Sequence, residues 1–248
     1  MSLEAIIFDV DGTLAETEEV HRAAFNRAFN DANLPWHWDQ DLYGVLLRVT
    51  GGKERIRHFI DAHGMHDLGA QPDAAIAQLH AAKTLHYARL VDAGAMQLRP
   101  GFQTLIEDAR RAGVRLAIAT TTSLPNVESL LQAALGEQGR GFFEVIAAGD
   151  IVPNKKPAPD IYLSALAQLS VAPSACVAVE DSRNGLRAAL ASGIDTLVVR
   201  SSYSRDEDFA GAALVVDSLE DVPARFGTSS ILNALRALHA GAHEQHNN

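Results

Sequence analysis

The chain has 248 residues, 47% of them hydrophobic, and a formal charge of −10 from 31 acidic against 21 basic side chains. That length and apolar content allow a buried core, as one large domain or as one domain carrying an insertion, whereas the acidic balance argues against nucleic acid or an anionic membrane surface as partner. No apolar run approaches the roughly 20 residues that span a bilayer, no basic segment precedes the first apolar stretch, and the one cysteine, Cys176, can form no intramolecular disulfide, so a cytoplasmic globular protein is expected.

The first element is the apolar run AIIFDV at 5–10, which reads as a buried strand. It ends in FDVDGTL, where Asp9 and Asp11 stand two apart, so Val10 points away and both acids face one cavity. Two acids on one side invite a cation, Gly12 lets the backbone turn, and Thr13 is placed to cap the next segment. Roughly a hundred residues without a strand pattern come next, far more than a crossover connection needs. Within them, 18–32, 53–63 and 73–91 carry apolar residues at three- and four-residue spacing, which predicts a helical insertion with hinges near Ala15–Thr17 and Gly94–Pro100. Glu18 and His21 lie three apart on its first helix and can face one ligand together, although a histidine such as His21, taken alone, is more often a surface residue. Gly51 and Gly52 free the backbone ahead of Lys53 and Arg55, a basic helix start that either grips an anion or is simply solvated.

Beyond the insertion, the strand-like runs RLAIATT (115–121), FEVIAAG (143–149), ACVAVE (175–180), TLVVR (196–200) and ALVVD (213–217) alternate with helical patterns. The alternation predicts an α/β fold: a parallel sheet covered by helices on both faces, with its ligand site beyond the carboxyl ends of the strands. The expected division is core at 1–16, helical cap at 17–93, core again at 94–228, and a C-terminal helical tail at 229–248 that frays. Three segments at the expected strand ends carry polar groups. ATTTS presents Thr120 and Thr121; NKKPAPDIY presents Lys155 and Lys156 ahead of Pro157; VAVEDS places Glu180 and Asp181 side by side, with Ser182 set to cap the next helix.

FDVDGTL, the threonine-bearing strand end, KKPAPD and VAVED resemble, in that order and across nearly the whole chain, the four motifs of the haloacid dehalogenase (HAD) superfamily. The resemblance implies a Rossmann-like core with an inserted α-helical cap. It implies Asp9 as the nucleophile that becomes an aspartyl-phosphate, Asp11 as general acid and base, and Thr120 with the Thr121 amide as donors to the phosphoryl group. Lys156 would be the cation that holds Asp9 and the phosphoryl oxygens together, with Lys155 an exposed neighbour. The implied cofactor is Mg²⁺, held by Asp9, Glu180 and Asp181 and by the Asp11 backbone carbonyl, an all-oxygen set that suits this hard ion. A carboxylate attacking phosphorus splits one difficult displacement into two easier ones.

Within the superfamily, AETEEVHRAAFN, WHWD, TGGKERI, TTTSLPNV and KKPAPDIY look like the CbbY-like sugar-bisphosphate phosphatases of the Calvin cycle, relatives of β-phosphoglucomutase. That likeness implies a small soluble sugar phosphate as partner, xylulose 1,5-bisphosphate, touched by Glu18, His21, Gly52, Lys53, Arg55 and Thr121, with the two cap cations on its second phosphate. A phosphomutase of the β-phosphoglucomutase type and a catalytically silent binding protein on the same fold stay open as alternatives. Thr13 leans toward the phosphatase, because mutases of that type commonly carry Val there. The oligomeric state is not legible, and a monomer is compatible with the sequence.

Overall fold

In the computed structural model, which describes residues 2–64, 68 and 71–246, β1 (Ala5–Phe8) is followed by α1 (Glu18–Asp31), α2 (Gln40–Leu46), α3 (Gly52–His63) and α4 (Pro72–Leu90). Then come α5 (Phe102–Arg111), β2 (Arg115–Thr120), α6 (Leu124–Leu135), β3 (Val145–Ala148), α7 (Asp160–Leu169), β4 (Cys176–Glu180) and α8 (Arg183–Ala191). The chain closes with β5 (Asp195–Val199), β6 (Leu214–Val216), the single turn α9 (Val222–Arg225) and α10 (Ile231–His246). The six strands form one sheet in the order β3-β2-β1-β4-β5-β6, every neighbouring pair parallel. No described helix is long and apolar enough to cross a membrane.

Strand alternation builds the two sides of this sheet. In β1, Ile6 and Phe8 enter an apolar cluster with Phe102, Leu105, Leu130 and Leu235, while Ala5 and Ile7 enter a second with Ile161, Tyr162, Leu166 and Ala189. Helices α5, α6 and α10 therefore cover one face, and α7 and α8 the other. The order reverses at β1, whose neighbours are β2 and β4, which makes the carboxyl end of β1 the switch point where α/β sheets bind ligands.

The insertion after β1 carries its own core. Phe25, Phe29, Trp36, Trp38, Tyr43, Ile56, Phe59, Ile76 and Leu79 are buried against one another, with Trp38 4.7 Å from Phe25 and 4.9 Å from Phe29, ring centre to ring centre. Asn26 ties the WHWD segment to α1 by exchanging hydrogen bonds with the Trp38 backbone, donating at 2.8 Å and accepting at 2.8 Å. Periodicity did not reveal α2, a short helix whose Asp39 side chain caps it by accepting from the Leu42 amide at 2.8 Å.

Three expectations need correcting. The tail does not fray from its start: Ile231, Leu232, Ala234, Leu235 and Leu238 are buried in the main core, because the apolar stripe of α10 meets α5 and β4. The side chains of residues 243–246 and all of 247–248, with His243 and His246 among them, lie outside the described residues. Thr13 caps no helix, since α1 begins at Glu18 and the Thr13 hydroxyl instead points at the carboxylates of Asp9 and Asp181, 3.4 Å from each. Lys155 is not an exposed helper but is only 11% exposed, donating to the Gly149 carbonyl at 2.5 Å and to Asp150 at 2.6 Å.

Candidate active site

Register assembles the centre of the site. Phe8 pairs with Ile118 on β2 and with Val179 on β4, so Asp9 and Glu180, the next residues of β1 and β4, emerge side by side at the carboxyl edge of the sheet, and Thr120, two residues past Ile118, ends β2 at the same edge. The Asp9 amide donates to the Val179 carbonyl at 3.0 Å, which fixes the position of its carboxylate. Val10 is buried in the core, whereas Asp9 and Asp11 both line a cleft between sheet and cap. Gly12 makes the turn possible. Its φ is +79°, and a Cβ there would come within 2.2 Å of an Asp181 carboxylate oxygen.

Lys156 is 5% exposed and its ammonium donates at 2.6 Å both to Asp9 and to Glu180, while the Tyr162 hydroxyl donates to the same Glu180 oxygen at 2.6 Å. Asp9, Glu180 and Asp181 are all buried, and each offers an oxygen within 4.8 Å of the others. Gly185 on α8 leaves room for Glu180, since a Cβ would lie 2.0 Å from its carboxylate. Burial first, then the neighbouring carboxylates, lifts Asp9 to about 7 despite Lys156; burial, Asp9 and Glu180 likewise hold Asp181 well above the usual range. Three buried carboxylates facing one lysine form a charge deficit that a hard divalent cation fits, all donors being oxygen.

Asp11 has a different environment. Burial raises it, but His21, Thr122 and Thr17 together hold its carboxyl well below the ordinary range. Thr17 donates at 2.6 Å, the His21 Nε2 lies at 2.8 Å, and the Thr122 hydroxyl also donates. Behind His21, the Lys83 Nζ sits 2.6 Å from Nδ1 and Tyr87 stacks on the ring at 4.3 Å. Because Asp11 accepts at Nε2, that nitrogen carries the proton and Nδ1 receives the lysine's.

The cleft brings together Asp9, Asp11, Glu18, His21, Gly52, Arg55, Thr120, Thr121, Lys156 and Asp181. Glu180 stands behind Lys156 rather than on the cleft wall. Arg55 is held over Tyr43, 5.3 Å from its ring, and donates to the Tyr43 hydroxyl and the Leu46 carbonyl at 3.2 Å each; the same hydroxyl donates to Glu18 at 2.8 Å. Gly52 gives space to a side chain, not to a ligand alone, since a Cβ would strike His80 at 2.6 Å. Lys53 is the correction: it does not line this cleft, because its ammonium is 2.5 Å from Asp150 across the seam between cap and core.

Sequence reasoning missed Thr17, Thr122 and Lys83. Lys83 had a signal: it falls on the same stripe of α4 as the buried Ile76, Leu79 and Tyr87, where a charged residue calls for an explanation. The threonines had none beyond their nearness to the motifs.

A family model for haloacid dehalogenase-like hydrolases matches residues 3–193. Over 220 residues the chain is 52% identical to protein CbbY of Cereibacter sphaeroides, covering 89% of this chain and 94% of that one. A CbbY variant from Rhodobacter sphaeroides, solved in complex with xylulose 1,5-bisphosphate, is 51% identical, with a TM-score of 0.83 over 89% of this chain and 96% of that one. A β-phosphoglucomutase from Clostridium difficile shares the fold, with a TM-score of 0.77 at 19% identity over 97% of this chain and 98% of the other.

Proposed function

From the premise that the chain belongs to the haloacid dehalogenase-like hydrolase family, we propose that it is a Mg²⁺-dependent phosphatase acting on a small sugar bisphosphate, xylulose 1,5-bisphosphate, through an aspartyl-phosphate at Asp9. The observation that carries this reading is the buried cluster of Asp9, Glu180 and Asp181 around Lys156, with Asp11 across the cleft in a wholly different hydrogen-bond setting.

In this reading the reacting phosphate lies against Lys156, Thr120 and the Thr121 amide, all on the core side. An Asp9 carboxylate oxygen attacks phosphorus, the bond from phosphorus to the sugar oxygen breaks, and Asp11 gives that oxygen its proton. Asp11 then takes a proton from water as the water attacks the phosphorus, and the bond from phosphorus to Asp9 breaks to release inorganic phosphate. Lys156 spans Asp9 and Glu180, so it holds the nucleophile in place and supplies charge where negative charge collects. Asp9, Glu180 and Asp181, with the Asp11 backbone carbonyl, would hold Mg²⁺, which when bound neutralises the phosphoryl oxygens.

The surroundings of Asp11 favour its carboxylate, which is the form the second step uses as base. For the first step it must carry a proton, and the negative charge of a phosphate placed beside it favours that uptake. His21 and Thr17 hold Asp11 from the cap side and the hinge, so its geometry depends on the cap being closed. The remote phosphate is assigned to Arg55, the arginine of the cap that lines the cleft.

The experiment is phosphate release from xylulose 1,5-bisphosphate by the purified protein with Mg²⁺, beside the Asp9→Asn variant. Release by the wild type alone supports the reading. An isomerised sugar phosphate in place of free phosphate would make the protein a mutase, and no turnover of any sugar phosphate would leave a binding protein.

A further inference from the structure

The start of α6 leaves two polar side chains unmatched on the cleft wall. Ser123 occupies the N-cap position with the extended backbone of a capping serine, φ −63° and ψ 143°, yet its hydroxyl makes no capping bond. The sequence explains this. A capping serine serves the second or third amide of its helix; here the second residue is Pro125, which has no N–H, and the Asn126 amide donates to the Ser123 carbonyl at 3.0 Å. The Ser123 Oγ is buried without a hydrogen-bond partner. Three residues on, Asn126 is 2% exposed, its Oδ1 is buried with no partner, and the residue lines the same cleft as Asp9 and Arg55. Buried side-chain amides and hydroxyls are rarely left so, and two neighbouring ones on the wall of a binding cleft point to groups supplied by a ligand.

The chemistry of these atoms narrows the ligand. A carboxamide sets an acceptor beside a donor, and a serine hydroxyl can be either. A phosphate dianion has no proton to give Oδ1, whereas neighbouring hydroxyl groups on a carbon chain can donate to Oδ1 and accept from Nδ2. We propose that Asn126, aided by Ser123, is a specificity residue that reads the hydroxyl groups of the sugar between its reacting and remote ends. This inference rests on the phosphatase reading for its substrate class, but concerns a part of the substrate that neither Asp9 nor Arg55 touches.

The test compares kcat/KM on xylulose 1,5-bisphosphate with that on pentane-1,5-diol bisphosphate, which keeps both phosphates on a five-carbon chain but lacks the hydroxyls and the ketone. The wild type should prefer the sugar, and Asn126→Ala should shrink that preference about 10- to 100-fold, since a site built to bond a hydroxyl discriminates strongly against its absence. Ser123→Ala should shrink it in the same direction by a smaller factor, and it carries the test if the Asn126 variant does not fold. Equal fractional losses on both substrates, or no preference in the wild type, would overturn the proposal and make the two residues structural. If neither bisphosphate is turned over, the bisphosphate reading fails separately, and the same comparison of glucose 6-phosphate with hexyl phosphate decides the role of Asn126.

Discussion

Replacing Lys83 by Met should stabilise the fold while damaging the enzyme, and the stabilisation should fade as pH rises. Lys83 is 4% exposed, its Nζ 4.9 Å from the centre of the Phe25 ring and 5.3 Å from that of Tyr87, with His21 as its hydrogen-bond partner. Burial pulls its pKa from 10.5 down to about 7; Asp11 and Glu18 oppose this and Arg55 adds to it. A lysine depressed in the fold binds fewer protons there than in the unfolded chain, so wild-type stability rises with pH between those two values and the handicap is fully present below about 7. With one pKa unit worth about 1.4 kcal/mol, the handicap is about 4 kcal/mol at pH 7 and about 2 kcal/mol at pH 9. Methionine fills similar volume without the charge, and its failure to bond His21 subtracts about 1 kcal/mol at either pH. Urea unfolding followed by far-UV circular dichroism at pH 7, 8 and 9 should therefore show the variant's advantage over wild type falling by about 2 kcal/mol across that range. An advantage that does not change with pH would show that Lys83 keeps an ordinary pKa and that the argument from burial is wrong.

The other predictions concern chemistry and recognition. Asp9→Asn should abolish phosphate release, and Asp11→Asn should lower kcat by roughly 10²–10⁴-fold; an Asp9 variant retaining more than about a tenth of wild-type turnover would refute the aspartyl-phosphate. A chelator should stop turnover, Mg²⁺ should restore it, and Ca²⁺ should do so poorly because it takes more ligands at longer distances; full activity in excess chelator would remove the metal from the mechanism. Arg55→Ala should cost a bisphosphate about 10- to 100-fold in kcat/KM and a monophosphate much less, whereas Lys53→Ala, which breaks a contact with Asp150, should affect both substrates alike; steady-state kinetics on the pair separates the roles.

Much of this site was legible because its key residues sit at strand ends, where period-two patterning stops and polar groups begin. FDVDGTL, the threonines at the end of β2 and VAVED could each be placed on the sheet before any register was known, and parallel pairing then set Asp9 beside Glu180 with Thr120 at the end of the neighbouring strand. What stayed hidden were partners distant in sequence. Whether Lys53 turns to the cleft or to Asp150 depends on where the cap rests on the core, and no local pattern encodes that. The same holds for Lys83, whose contact with His21 joins two cap helices 62 positions apart. The burial of α10 was missed because its apolar stripe, interrupted by polar residues, reads alone as a marginal surface helix.

The separate aromatic core of the cap has an optical consequence. The chain has two tryptophans, Trp36 and Trp38, and both lie in that cluster, buried against Phe29 and Phe59. Indole emission excited at the red edge of the absorption band thus originates wholly from the cap, while the sheet contributes to circular dichroism without emitting. Emission watches the cap alone and circular dichroism the whole fold, so the protein carries a native reporter by which melting of the lid can be timed against melting of the molecule without attaching a dye.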